Sequence, residues 1–200
     1  MSFIVHVWFI LRLHATRGKM NIHFTKLTDP TMEIAEAFTC WENNPALIPF
    51  MRPNKNQSDI DKNQTITVDN LIERLKQYQV YLIYMDNQLI GEINYTIDPP
   101  HLYKKEDGTA WIGINIGEEN GRGKGIGYLA MKHLEEEIKL AGYKRIELGV
   151  FEFNTNAVKL YQKLRYVEIA RINNFTYWQG KMWQDIRMEK YMENTQSKRK

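Results

Sequence analysis

Residues 121–127 read Gly-Arg-Gly-Lys-Gly-Ile-Gly, four glycines on alternate positions with Arg122, Lys124 and Ile126 filling the gaps. A strand pattern, AWIGINI at 110–116, comes before them, and an amphipathic helical pattern from about Ile126 to Ala141 follows. A loop in that position offers unpaired backbone N–H groups at a helix N-terminus, where the dipole adds about half a positive charge. Gly123, Gly125 and Gly127 let the backbone approach an anion with no Cβ in the way, and they permit the positive φ at which N–H groups converge. The chemistry implied is the binding of a phosphate or pyrophosphate, with Arg122 and Lys124 adding charge at the rim.

Three phosphate motifs compete for this stretch. The P-loop pattern fails, because Glu118 stands where its first glycine belongs and Lys124 is followed by Gly125 rather than Ser or Thr. Gly125, Gly127 and Ala130 approach the dinucleotide fingerprint, with Glu147 at about the distance of a ribose-binding acid, but residues 117–124 intervene between strand and glycine. The third pattern is Arg or Gln, two residues, Gly, one residue, then Gly or Ala, met by Arg122, Gly125 and Gly127.

That third pattern resembles the coenzyme A loop of the GNAT-type N-acetyltransferases. The likeness extends in order through LIGEI from Leu89, WIGINIGEE, the loop, RIELGVFEFNTNA, LYQKL and WQDIRMEKY, about half of the chain. IGINIGEE and VFEFNTNAVKLYQKL look most like the branch that contains the ribosomal-protein N-terminal acetyltransferases. Two departures stand out. The interval from Ile116 to GKGIG is one residue longer than usual, and Arg165 occupies a helix end where the family usually has Gly. A left-handed backbone at Arg165 would cost about 1 kcal/mol.

The resemblance implies acetyl transfer from acetyl-CoA, as co-substrate, to a primary amine of a small molecule or a protein N-terminus by direct attack on the thioester. It implies that strands 110–116 and 145–150 splay and admit the pantetheine arm. Backbone groups near Ile114 and Ile116 would bond that arm, and Arg122, Gly123, Lys124, Gly125, Ile126 and Gly127 would hold the diphosphate. Tyr161 matches the tyrosine that protonates the coenzyme A sulfur in many relatives, and Asn154 matches an asparagine that bonds the arm. Acetyl transfer also needs a base, since an alkylammonium with a pKa near 10.4 must lose a proton. Strand 110–116 contains no acid and carries Asn115 instead. Glu92, beside Gly91 on the preceding strand, is the candidate, with Glu147 and Glu118 behind it. A catalytically silent acyl-CoA-binding module and a nicotinamide oxidoreductase are the rival functions.

Other chemistries find little footing. The three serines, Ser2, Ser58 and Ser197, lie in no G-x-S-x-G, and the five histidines form no i,i+4 pair. Cys40, the one cysteine, excludes a disulfide framework within the chain, fits a reducing cytoplasm and reads as a buried helix thiol. The net charge of +3 is spread along the chain, so no nucleic-acid partner is indicated. The apolar stretch at 3–11 is too short to span a bilayer, so no membrane partner is expected either. A homodimer stays open.

The elements that must position these residues alternate. NIHFTKL reads as a strand; a helix runs from Asp29-Pro30 to Trp41, and 43–63 is loop. Thr67 caps a helix over Val68–Tyr78, then strands 80–85 and 88–97 form a hairpin around Asp86-Asn87. Strand 110–116, the helix to Ala141 and strand 145–150 make a right-handed parallel crossover. In that helix Leu129 and Ala141 read as inward and Glu135 as outward. Asn154 or Thr155 caps a helix through Leu164, and two last strands flank Gln179-Gly180. The expected fold class is α/β: a mixed, mostly antiparallel central sheet with one central parallel pair and flanking helices, GNAT-like. Residues 20–192 make one domain, 1–19 an extension with Met20 as an alternative start, and 193–200 a basic tail.

Overall fold

The computed structural model describes residues 20–192, so the expectations for the extension and the tail lie outside the described residues. Seven strands form one sheet in the order β1-β2-β3-β4-β5-β7-β6. They are β1 Ile22–Lys26, β2 Gln79–Met85, β3 Gln88–Ile97, β4 Thr109–Ile116, β5 Arg145–Phe151, β6 Val167–Trp178 and β7 Lys181–Tyr191. Only β4 and β5 pair in parallel. The helices are α1 Met32–Glu42, α2 Ile48–Met51, α3 Gln57–Ile60, α4 Val68–Leu75, α5 Ile126–Leu140 and α6 Thr155–Lys163. None of them is long and apolar enough to cross a membrane.

Local chemistry accounts for most boundaries. Asp86 and Asn87 both adopt positive φ (51° and 67°), the two-residue turn that matches strand twist, and Gln179-Gly180 repeats it at 52° and 80°. Thr67 caps α4 in a reciprocal box with Asn70. The first helix begins at Met32 rather than at Pro30, because Thr31 supplies the cap: its hydroxyl accepts from the Ile34 N–H at 3.3 Å. The 43–63 segment contains two single-turn helices and docks on β6 through Tyr177 N–H to the Asn54 carbonyl (2.7 Å).

The two faces of the sheet differ. On one, α5 seals Ile93, Ala110, Ile146, Leu148 and Ile186 beneath Ile126, Met131, Leu134 and Ile138. On the other, α1 and α4 cover only the β1–β3 end, with Phe38, Trp41 and Leu71 packed on Val80 and Leu82. Over β4, β5 and β7 that second face carries Trp111, Gly113, Arg145, Glu147, Gly149, Asp185, Arg187 and Glu189, and the 98–108 connection folds down onto it. Tyr103 N–H donates to Glu147 Oε1 at 2.6 Å, and Arg187 Nη1 donates to the His101 carbonyl at 3.1 Å.

Three sequence expectations are corrected here. Cys40 is exposed, on the outer side of α1 rather than among Ala35, Phe38 and Trp41. Leu129 and Ala141 point outward on α5, and Glu135 points inward at 3% exposure. Glu135 tolerates burial because Lys132 (2.9 Å) and Lys190 of β7 (2.6 Å) neutralise it, a partner 55 residues away in sequence.

Arg165 is left-handed, φ 68°, just past the C-terminus of α6. Its N–H bonds the Gln162 carbonyl and the Tyr166 N–H bonds the Tyr161 carbonyl, both at 2.9 Å, which completes a Schellman cap. Since the Arg165 side chain is exposed, Arg165→Gly relieves strain with little loss of packing. Urea denaturation should show a gain of about 0.5–1 kcal/mol, and a destabilised variant would contradict the strain.

Candidate active site

Chain geometry after β4 lays out a row of backbone donors that could hold an anion. Glu118 N–H bonds the Ile90 carbonyl at 3.0 Å, a 3-10 turn spans Glu119–Gly121, and Gly123 and Gly125 then adopt φ 73° and 80°. No Cβ neighbour lies within 4 Å of either glycine, so both stand against open space. Among the described residues, no intramolecular acceptor meets the N–H groups of Gly123, Lys124, Gly125, Ile126 or Gly127. Five consecutive donors at the start of a 15-residue helix are what a diphosphate requires. Gly125 is the N-cap and has no side chain to satisfy them internally.

Arg122 and Lys124 divide their work. The Arg122 guanidinium turns back from the rim: Nε donates to the Ile116 carbonyl (3.0 Å) and Nη2 to the Gly117 carbonyl (2.6 Å), which ties the loop to the end of β4. Lys124 is exposed and stays free to meet an anion.

Beside the loop the sheet opens. β4 and β5 pair only from Thr109 to Trp111 against Arg145 to Glu147. Beyond that point β4 keeps its partner β3 as far as Ile116, and β5 keeps β7 as far as Phe151, so the two strands diverge into a cleft. Ile114 and Ile116 line it half-buried, with one backbone edge lacking a strand neighbour. That edge suits the amides of a pantetheine arm.

Tyr161 sits on α6, 7% exposed in the core cluster that α5 shares with the sheet. The Schellman cap holds its carbonyl, and the Tyr166 ring packs edge-on at 5.9 Å. Burial pushes its phenol up to about 12, so the hydroxyl stays protonated at neutral pH, as an acid must. Asn154 caps α6, its Oδ1 accepting from Ala157 N–H at 3.3 Å, which leaves its Nδ2 to donate elsewhere.

The carboxylates named from sequence are placed differently from one another. Glu92, 7% exposed on the second face, gives Oε1 to Arg74 (2.8 Å) and Oε2 to Asn94 Nδ2 (3.0 Å). Glu147 is fully buried, with its oxygens taken by the N–H groups of Tyr103 and Lys104 and by Arg145 (2.7 Å). Bonded at both oxygens and with no exposed surface, it is out of reach of a ribose or an amine. Glu118 accepts from the Trp41 indole at 2.8 Å, near the loop entrance.

Sequence reasoning missed Asp185 on β7, which reaches the apex of the cleft beside Arg187 (2.6 Å). Charged residues at every second position of the strand, Asp185, Arg187 and Glu189, were the available signal, since β7 is paired on both sides. An aromatic cluster also gathers at the far end of β5: Phe50 of α2 lies 5.4 Å from Phe153, and Phe153 lies 5.3 Å from Trp183 and 6.5 Å from Trp178.

A sheet parted beside a row of free N–H groups is an arrangement that can hold an acyl-CoA. Comparison with known proteins agrees. Residues 36–166 match the model of the acetyltransferase (GNAT) family, and the chain belongs to that family. Spermine/spermidine N(1)-acetyltransferase of Bacillus subtilis is 26% identical over 126 residues, 62% of this chain and 82% of the relative. Among solved structures, spermidine N-acetyltransferase from Vibrio cholerae, in complex with CoA and spermine, superposes with a TM-score of 0.65 at 16% identity, covering 86% of this chain and 95% of that one. Ribosomal-protein-alanine N-acetyltransferase from Brucella melitensis gives 0.65 at 15%, covering 85% and 99%. The chain is an acetyl-CoA-dependent N-acetyltransferase with the mixed α/β fold its sequence implied.

Proposed function

We propose that this enzyme acetylates an aliphatic polyamine, with the acetyl-CoA diphosphate held by residues 123–127. The observation that carries the acceptor class is the aromatic cluster of Phe50, Phe153, Trp178 and Trp183 at the mouth of a cleft whose floor bears buried carboxylates. Aromatic faces attract alkylammonium groups, and Lys181 Nζ already lies 3.5 Å from the Trp183 ring centre. The name of the Bacillus relative points the same way.

Acetyl-CoA supplies an activated acetyl group as its thioester. The Lys124 ammonium and the five N–H groups neutralise and orient the diphosphate, while Asn154 Nδ2 and the open edge of β4 near Ile114 and Ile116 align the arm. Tyr161 then donates its proton to the sulfur as the acceptor nitrogen takes the acetyl group.

Two measurements test this. Acetyl-CoA at 100 times its Kd should stabilise the fold by about 2.7 kcal/mol, and NADH should not. Thiol release with spermidine or spermine should exceed that with an aminoglycoside or an alanyl peptide at least tenfold in kcat/KM, on the order of 1.4 kcal/mol of discrimination. A preference for the peptide would overturn the acceptor class, and binding without turnover on any amine would favour a silent module.

A further inference from the structure

We propose that Asp185 is the group that takes the proton from the acceptor ammonium, an assignment that rests on the acetyl-transfer reading above. Its place in the fold is the argument. Asp185 is 2% exposed on β7, and its carboxylate lies over Gly149 of β5. A Cβ built on Gly149 would sit 2.8 Å from Oδ2, 3.0 Å from Oδ1 and 3.0 Å from the edge of Trp111. Gly149 is the second β5 residue beyond the last pair with β4, so the glycine leaves room for the carboxylate at the apex where the strands part. Any side chain at 149 would displace it.

The oxygens of Asp185 are unequal. Oδ2 lies 2.6 Å from Arg187 Nε as an ion pair outside hydrogen-bonding geometry, whereas Oδ1 has no donor among the described residues. The other carboxylates of this face lack that freedom: Glu92 is held at both oxygens, and so is Glu147. Arg187 is fixed in turn, its guanidinium 4.8 Å from the Trp111 ring and 5.7 Å from Phe175, with Nη1 on the His101 carbonyl. The charged group that acts on Asp185 is thus Arg187 on its own strand; Glu147, two residues before Gly149 on β5, is paired with Arg145, and His101 behind Arg187 is held neutral by burial. Burial, opposed by Arg187, pushes the Asp185 carboxyl up to about 6, which suits a base working near neutrality.

The proton balance closes. Oδ1 accepts H+ from RNH3+, directly or through one water, and the N–H electron pair stays on nitrogen. That pair forms the N–C bond, the C–S bond breaks, and Tyr161 protonates the departing sulfur. Amide formation releases a second N–H proton that restores Tyr161, and Asp185 returns its own to solvent. Acid and base work from opposite faces of the sheet, since Tyr161 packs in the α5 core cluster with Ile186 and Met188, and Asp185 alternates with Ile186 along β7.

The test is the pH dependence of kcat/KM for spermidine at saturating acetyl-CoA. Wild type should rise to a plateau as Asp185 ionises. Asp185→Asn should lose that inflection, fall about 10^2-fold at pH 7 and climb steadily toward pH 9.5 as free amine accumulates. Formate should restore part of the rate in Asp185→Ala. Acetyl-CoA affinity should stay within twofold of wild type in both. If removal of one charge prevents folding, the pair Asp185→Asn with Arg187→Gln carries the same profile. Unchanged profiles in these variants, or loss of the inflection in Glu92→Gln alone, would overturn the assignment. Failure of wild type to bind acetyl-CoA or turn over any amine would instead sink the reading it rests on.

Discussion

Tyr161→Phe should slow thiol release about 10^2- to 10^3-fold while leaving acetyl-CoA affinity within twofold. The substitution removes one buried hydroxyl and keeps the ring that packs on Tyr166, so the fold and the diphosphate site stay intact. What goes is the hydroxyl proposed to donate the proton. The sign of the pH effect follows from burial: the folded phenol holds its proton up to about 12, against an ordinary value of 10.0, so the stability it contributes is complete below pH 10 and is lost between the two values. A fall in wild-type activity below pH 10 would therefore belong to another group. Thiol release and calorimetric titration on the same preparation check both halves, and a rate within threefold of wild type would remove Tyr161 from the mechanism.

Gly125→Glu should weaken acetyl-CoA binding at least 100-fold, on the order of 2.7 kcal/mol. A carboxylate would project into the five N–H groups that the diphosphate needs, and the φ of 80° would add about 1 kcal/mol of strain. Gly142 separates the two causes. It has φ 91° with no neighbour within 4 Å and lies at the other end of α5, so Gly142→Glu should match the strain but keep the affinity. Titration calorimetry of both variants decides it, and equal affinity would mean that the diphosphate binds elsewhere.

Much of this was readable from residue order. Strand alternation, the Asp86-Asn87 and Gln179-Gly180 turns, the Thr67 cap and the glycine loop are local signals, and local hydrogen bonding carried each into the fold. What escaped depends on partners distant in sequence. Glu135 reads as a solvent-side residue until β7 brings Lys190 beside it. Cys40 follows an apolar pattern, yet the helix turns it outward because Ala35, Phe38 and Trp41 already fill the stripe. Arg122 reads as a rim cation, but two strand-end carbonyls six and five residues earlier capture it. Asp185 was hidden for a related reason. In isolation WQDIRME alternates like a strand with one wet face, and Asp185 is buried because the fold brings Gly149 and Trp111, both distant in sequence, against its carboxylate.

The short seam between Thr109–Trp111 and Arg145–Glu147 makes the molecule behave like a book bound by a narrow spine. One leaf is β1–β4, the other β5, β7 and β6; α5 packs across both and the 43–63 segment reaches β6, but above the spine β4 and β5 share no ladder, and there a thioester's arm would bridge them. Loading the donor should therefore protect the amides along Ile112–Ile116 from deuterium exchange far more than those of β1. On that outcome the substrate would serve as a structural strand before it reacts.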